Sequence, residues 1–429
     1  MSRIPRPEVD LPRPQPPGGV DKRRLRATAA ALTALTALAA IGLVAGPAAA
    51  APPYAGPCAL ERTAAHHSEG LDSWNSTYPR PVKPLNAVMV FLSFPDWEPA
   101  TTPRQLAADY FPATSDFFER ASYGRFRLVA HPQRTWIEMP HASTSYAIKR
   151  DWSAAHRSAY LRDALAAADP ATDFSKYDVV YFVADPDAPG VDSDATKVVN
   201  FDRPMRADGT DIRRIVTVFE HHPPDRNVLA HETGHVFDLP DLYHRPTDGE
   251  GDWDTYVGDW DVMGSQFGLA PDFFGWHKWK LGWLPSSQVT CVTHPGDTRL
   301  TLEPLSTAPR AAGAPFGTGD GTKLAVVRTG PSSAIALEAR GAGGNDDATC
   351  SQGVLVYRVR SDSASGAGPV QVLDSHPSTE ACYGDSVYPP LADAPIQEGE
   401  SFSVPGEKLR IEVGDRTSSG SWTVKVTTG

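Results

Sequence analysis

Cysteine is scarce in this chain, with only four among 429 residues: Cys58, Cys291, Cys350 and Cys382. Spacings this wide exclude a cysteine-rich metal site, whose ligands come in closely spaced pairs. Positive charge is also short, with 40 Lys/Arg against 52 Asp/Glu and a formal net charge of −12. Residues 1–50 carry seven of those basic and three of those acidic side chains, so the remainder holds 33 against 49, a net of −16. So acidic a body argues against nucleic acid or an anionic membrane as the main partner. No internal repeat is long enough to build a solenoid. No acidic loop has the spacing of an EF-hand.

What is present begins with an export signal. Lys22-Arg23-Arg24-Leu25-Arg26 is a basic start, Ala27 to Val44 is an uncharged Ala/Leu/Thr run, and Gly46-Pro47-Ala48-Ala49-Ala50 offers an A-x-A type cleavage site. We therefore expect residues 1–50 to be a signal peptide cut after Ala50, leaving a secreted, extracellular chain with no stable membrane insertion. The competing reading is an uncleaved anchor, since an 18-residue run is marginally long enough to span. An even number of cysteines in an exported chain predicts two disulfides. Of the three possible pairings we favour Cys350–Cys382, which would close a loop within one region, with Cys58–Cys291 tying an N-terminal arm to the start of the C-terminal part.

Residues 51–84 are rich in proline and small polar residues and read as that arm. From Leu85 the texture is globular. Buried strands are expected at Ala87 to Leu92, Val179 to Val183 and Ile215 to Phe219, and a strand pair at Phe126–Ala130 and Thr135–Met139. Helical spacing covers 104–122, interrupted by Pro112, and 153–168. Asp225 is a plausible N-cap for a helix running from Asn227 to Phe237. Another helix, opened by Pro271-Asp272, closes at Leu281-Gly282. Strands alternating with helices predict an α/β catalytic domain over 85–285, with a mixed sheet and an active-site helix. Beyond Pro285 the pattern changes to short strands separated by turns, near 300–302, 323–327, 334–337, 354–359, 370–373, 409–413 and 422–426. This predicts a β-rich, sandwich-like C-terminal domain over 286–429. We expect a monomer.

Chemistry concentrates in His231-Glu232-Thr233-Gly234-His235, an H-E-x-x-H pattern. On a helix, His231 and His235 share one face and can turn their imidazoles toward one ion. Glu232, about 100° around the helix, can hold a water without ligating the metal. Leu239-Pro240 ends the helix, and the turn can return Asp241 as a third ligand. Asp238 competes for that role, but only three residues past His235 it still lies on the helix end. Zinc held by two imidazoles and a carboxylate acidifies water, and Glu232 can take the proton as the water attacks a carbonyl. Tyr243 and Tyr256 are candidate donors to the resulting oxyanion, with aromatic packing as the alternative for each. Gly234 leaves room for close packing against the helix, and Met263 lies 28 residues after His235 in a tight Gly-containing turn. The acids Asp248, Glu250, Asp252, Asp254, Asp259 and Asp261 are a candidate calcium loop, with a solvated loop as the alternative. A thermolysin-like arrangement would need a downstream helix offering a glutamate, and Glu250 sits among glycines instead.

These residues resemble the immune inhibitor A-type family of secreted metallopeptidases, within the metzincin-like zincins. The likeness rests on His231 to His235 running into Leu239-Pro240-Asp241-Leu242-Tyr243. It extends to Trp260-Asp261-Val262-Met263, to Leu281-Gly282-Trp283, and weakly to Leu337-Glu338-x-Arg340. The resemblance implies a zinc-dependent endopeptidase acting on proteins or peptides. It casts His231, His235 and Asp241 as ligands, Glu232 as general base and Met263 as the apolar floor. Asp238 departs from the pattern, which places glycine there, often at positive φ; aspartate tolerates that region better than most residues. The segment before Leu85 is also too short for an independent prodomain. The alternative from another class is an exported binding protein without turnover, acting through its β-rich part. An intact Glu232 speaks against it.

Overall fold

The hydrophobic run Leu85–Ser93 forms β1, buried along almost its whole length because both of its faces are covered. Ala87, Met89 and Phe91 enter one hydrophobic cluster and Val88, Val90 and Leu92 another, as the two-residue period of a strand requires. The structure is a computed structural model, and it describes residues 56–246, 250–308 and 321–429. The expected signal peptide and its cleavage site lie outside the described residues. No helix among them is long and apolar enough to cross a membrane.

In chain order, β1 is followed by α1 (Pro103–Tyr110), α2 (Ala113–Ala121), β2 (Leu128–Glu138), α3 (Ala154–Ala168) and β3 (Val179–Ala184). Then come β4 (Lys197–Ala207), β5 (Thr210–Val218), α4 (Val228–Val236) and α5 (Gly275–Leu281). The five strands make one sheet in the order β2-β1-β3-β5-β4. All neighbours run parallel except β4, which is antiparallel to β5 at the edge. β3 repeats the division seen in β1: Val180 and Phe182 join Tyr160, Leu161 and Leu165 of α3 on one face, while Tyr181 and Val183 join the cluster containing α4 on the other.

Three local expectations need correction. The segments 126–130 and 135–139 do not pair with each other; they belong largely to one strand, β2, which pairs with β1 through a register shift. Pro271-Asp272 does not open α5, which begins at Gly275 with the Glu338 carboxylate accepting its N–H at 2.6 Å. Helix α4 is not capped by Asp225. Asn227 occupies that position at φ 60, while the Asp225 carboxylate accepts from Gln266. Strand β4 was not foreseen, because an edge strand with charged outward residues lacks a two-sided apolar run.

The C-terminal part builds two sheets. One comprises β6 (Val289–Cys291), β8 (Leu324–Arg328), β9 (Ser333–Arg340), β10 (Gly353–Arg360) and β11 (Val370–Val372); the other comprises β7 (Gly296–Leu302), β12 (Ser401–Ser403), β13 (Leu409–Arg416) and β14 (Trp422–Thr428). Ile335, Leu337, Val354 and Val356 meet Ile411, Val413, Val424 and Val426 between the sheets. The alternate residues Ala334, Ala336, Leu355 and Tyr357 face the other way, into the cluster that holds α4 and α5. The regions on either side of Pro285 therefore share a core. The result is a mixed α/β protein with several sheets and few helices. Both expected disulfides are present, Cys58–Cys291 with Cα atoms 5.6 Å apart and Cys350–Cys382 at 5.9 Å. Two disulfides fit an extracellular protein.

Arg340, on β9, joins this sheet to the loops before α5. It is buried, bonds Glu338 at 2.9 Å and Asp346 at 2.8 Å, and donates to the carbonyls of Trp260, Ala270 and Asp272. Removing it would leave buried carboxylates uncompensated. Arg340→Ala is expected to lower the unfolding free energy in urea by about 3–5 kcal/mol. A loss of only about 0–1 kcal/mol, the size of a surface pair, would show that sheet and loops hold independently.

Candidate metal centre

Helix α4 lies wholly in the interior, so every side chain on it is committed to packing or to polar contacts. His231 and His235 stand one turn apart with ring planes perpendicular and centroids at 4.9 Å. Each ring is fixed through Nδ1: His231 donates to the Val262 carbonyl and His235 to the Leu239 carbonyl, both at 2.8 Å. Those bonds occupy Nδ1 of each ring and leave both Nε2 atoms facing Asp241. Asp241 Oδ1 lies 2.9 Å from His235 Nε2 and 3.4 Å from His231 Nε2.

Burial alone would raise the Asp241 carboxyl, but His235 and hydrogen bonds from both imidazoles hold it well below the usual carboxylate range. The same contact overrides the effect of burial on His235 and pushes it up to about 9. A proton or a divalent cation can satisfy this electron-rich point. Glu232, beside it, accepts the Val198 N–H at 2.9 Å. Burial pushes its carboxyl up, against the pull of the two histidines.

The exit from the helix is tightly specified. Asp238 adopts φ 64, the left-handed conformation expected at this position. Its side chain turns away from the imidazole pair, toward the N-terminal arm. Oδ1 accepts from His67 Nδ1 at 3.0 Å and Oδ2 from Arg62 at 2.5 Å, while Lys280 Nζ donates to its carbonyl at 2.8 Å. Burial holds His67 down to about 4 despite that carboxylate, so the ring is neutral. Asp241, three residues on, is steadied from the C-terminal part. Its N–H donates to Ser365 Oγ at 2.8 Å, the Ser365 hydroxyl donates to Oδ2 at 2.9 Å, and Gly366 N–H donates to its carbonyl at 2.9 Å.

Met263 is fully buried beneath the helix. A Cβ added at Gly234 would lie 2.3 Å from the Met263 sulfur, so glycine is what lets the methionine approach. Asp261 accepts the Met263 N–H at 2.8 Å, and its other oxygen accepts from Phe274 N–H and His277 Nδ1, each at 2.8 Å.

No family model matches this chain, and no curated protein matches it. Among solved structures, wild-type OgpA from Akkermansia muciniphila aligns over 83% of this chain and 95% of its own, at 10% identity and a TM-score of 0.27. A likeness that faint carries no argument. The geometry must stand by itself.

His231, Glu232, His235 and Asp241 open onto a cleft of about 750 Å³. Tyr243 lines it, with its ring stacked on His231 and its hydroxyl facing Asp241. Tyr256 does not; its hydroxyl bonds His244 at 3.1 Å, which removes it as a donor here. The acids of the candidate calcium loop are engaged one by one in hydrogen bonds of their own. Asp248 lies outside the described residues. Asp259 accepts from the N–H groups of Leu269 and Val387 and from the Ser386 hydroxyl, Asp252 accepts from Asp254 N–H, and Asp261 supports the methionine turn. Among the described residues, one group of His, Cys, Asp and Glu converges closely enough to hold an ion, and it is His231, His235 and Asp241.

Ser365, His67 and Arg62 had no local signal to mark them, since each reaches the site from a remote stretch of chain. Asp241→Ala is expected to remove most of the bound divalent metal measured by elemental analysis, while Asp238→Ala retains it. The reverse order would reassign the site. Gly234→Ala is expected to lower stability by about 1–3 kcal/mol through overpacking. An unchanged melting temperature would contradict the contact with Met263.

Proposed function

We propose that this chain is a secreted zinc-dependent endopeptidase with Glu232 as its general base. The observation that carries the reading is the convergence of two imidazole nitrogens and one carboxylate oxygen on one point beside a buried glutamate. That donor set suits zinc, and the carbonyls behind both histidines supply the outer contacts such ligands require. His231, His235 and Asp241 would hold the ion. When bound, zinc supplies a water acidified toward neutrality and a Lewis acid for the peptide carbonyl.

The chain's own residues do the rest. Glu232, kept in place by Val198 N–H, accepts a proton from the attacking water and delivers it to the departing amine. The water oxygen ends on the new carboxylate as the C–N bond breaks. Edge strand β4 borders the cleft through Lys197, Val198 and Asn200. An extended peptide can lie along such an edge and bring its carbonyl to the site.

The test is cleavage of unfolded casein by the purified chain, with and without a chelator, beside Glu232→Ala. Chelator-sensitive cleavage is expected, falling below detection in the variant while its zinc content stays at the level of the parent. Cleavage that survives in Glu232→Ala would overturn the mechanism. Zinc bound with no turnover by the parent would favour a binding protein instead.

A further inference from the structure

The N-terminal arm does more than wrap the molecule. Ala65 to Ser68 is a β-turn, closed by Ser68 N–H donating to the Ala65 carbonyl at 3.1 Å. His67 takes φ 54 in it, a conformation that an imidazole side chain adopts at a cost and that the surroundings must enforce. They do so firmly. The His67 ring bonds Asp238 and stacks on His235 at 5.6 Å with planes 24° apart. Thr63 and Ser68 both donate to the Ser361 carbonyl, at 2.5 and 2.6 Å. Glu69, fully buried, bonds His277 at 2.9 Å.

The consequence falls on the neighbouring residue. With His67 turned inward, His66 projects outward, and its ring borders the cleft together with His231, Glu232, His235 and Asp241. It lies 3.9 Å from the His67 ring and near enough to feel the charges of both His235 and Asp241. Among the described residues, no hydrogen bond occupies it. Three other donors around the cleft are engaged: Tyr243 faces Asp241, Lys197 donates to the Arg150 carbonyl at 2.6 Å, and Gln266 donates to Asp225 at 3.1 Å.

We propose that His66 is a catalytic residue, contributed by the arm, whose ring N–H donates to the carbonyl oxygen of the scissile peptide as negative charge develops there. The proposal rests on the endopeptidase reading. His66 neither binds the metal nor exchanges its proton; it holds a hydrogen bond that strengthens in the transition state. It takes the place offered by the sequence to Tyr243 and Tyr256.

Steady-state kinetics on a peptide substrate test this with His66→Ala and His66→Gln, each checked for zinc content and melting temperature. His66→Ala should keep its zinc and melt like the parent, yet lose about 100-fold or more in kcat with KM little changed, as loss of one oxyanion donor does. His66→Gln, which restores an N–H, should recover part of the loss. A phosphinic peptide, which mimics the charged transition state, should bind more weakly to His66→Ala by a similar factor, whereas a substrate-like peptide binds equally. A His66→Ala enzyme of parental kcat, or one whose loss tracks loss of zinc, would overturn the proposal while leaving the endopeptidase reading intact. Absence of both turnover and phosphinate binding in the parent would overturn both.

Discussion

A single buried imidazole holds the parts of this molecule in register. His277 sits on α5 with no exposure, one ring nitrogen on Asp261 and the other on Glu69. Burial works against its charge, but the two carboxylates overcome that and push it up to about 9. Lys280, a turn further on, reaches Glu69 at 3.4 Å and the carbonyls of Ser68 and Asp238 at 2.8 Å each. Two cations thus face two anions in the interior, which is what makes such a cluster tolerable away from water. Asp261 carries the methionine turn, Glu69 carries the arm, and Asp238 carries the helix exit. The candidate metal ligands inherit their positions from all three.

The C-terminal sheet is the second support. Because β8, β9 and β10 bury both faces, one set of side chains closes the sandwich while the alternate set completes the core around α4 and α5. Ser365 and Gly366, in the segment between β10 and β11, then reach Asp241 directly. A β-rich part that reads in sequence as a separate appendage is in this way part of what orients Asp241, the candidate third ligand.

Much of this was legible beforehand. The i, i+4 spacing of the histidines in H-E-x-x-H, the left-handed residue at Asp238 and the glycine under Met263 follow from local rules, and an even cysteine count in an exported chain pointed to two disulfides. The strands that were missed or misdrawn share a cause. β4 is an exposed edge with charged residues, and β2 runs on through the stretch that was expected to separate two strands. The start of α5 was misplaced because its first free N–H is met by Glu338, a residue 63 positions away, rather than by a local cap.

By itself the sequence determined the reagents: two histidines on one helical face, a glutamate between them, acids beyond the helix, and alternating apolar runs that must pair into sheets. Those properties depend on neighbours within a turn or two, and chain geometry translates them directly. Only the tertiary structure decided which acid meets the imidazoles. Asp238 and Asp241 are chemically alike and three residues apart. One is claimed by Arg62 and His67 from the arm, and the other is held by Ser365, 124 residues downstream. The same long-range packing brought His66 to the cleft. Contacts between distant segments are set by how whole surfaces fit, and no local pattern of residues records them.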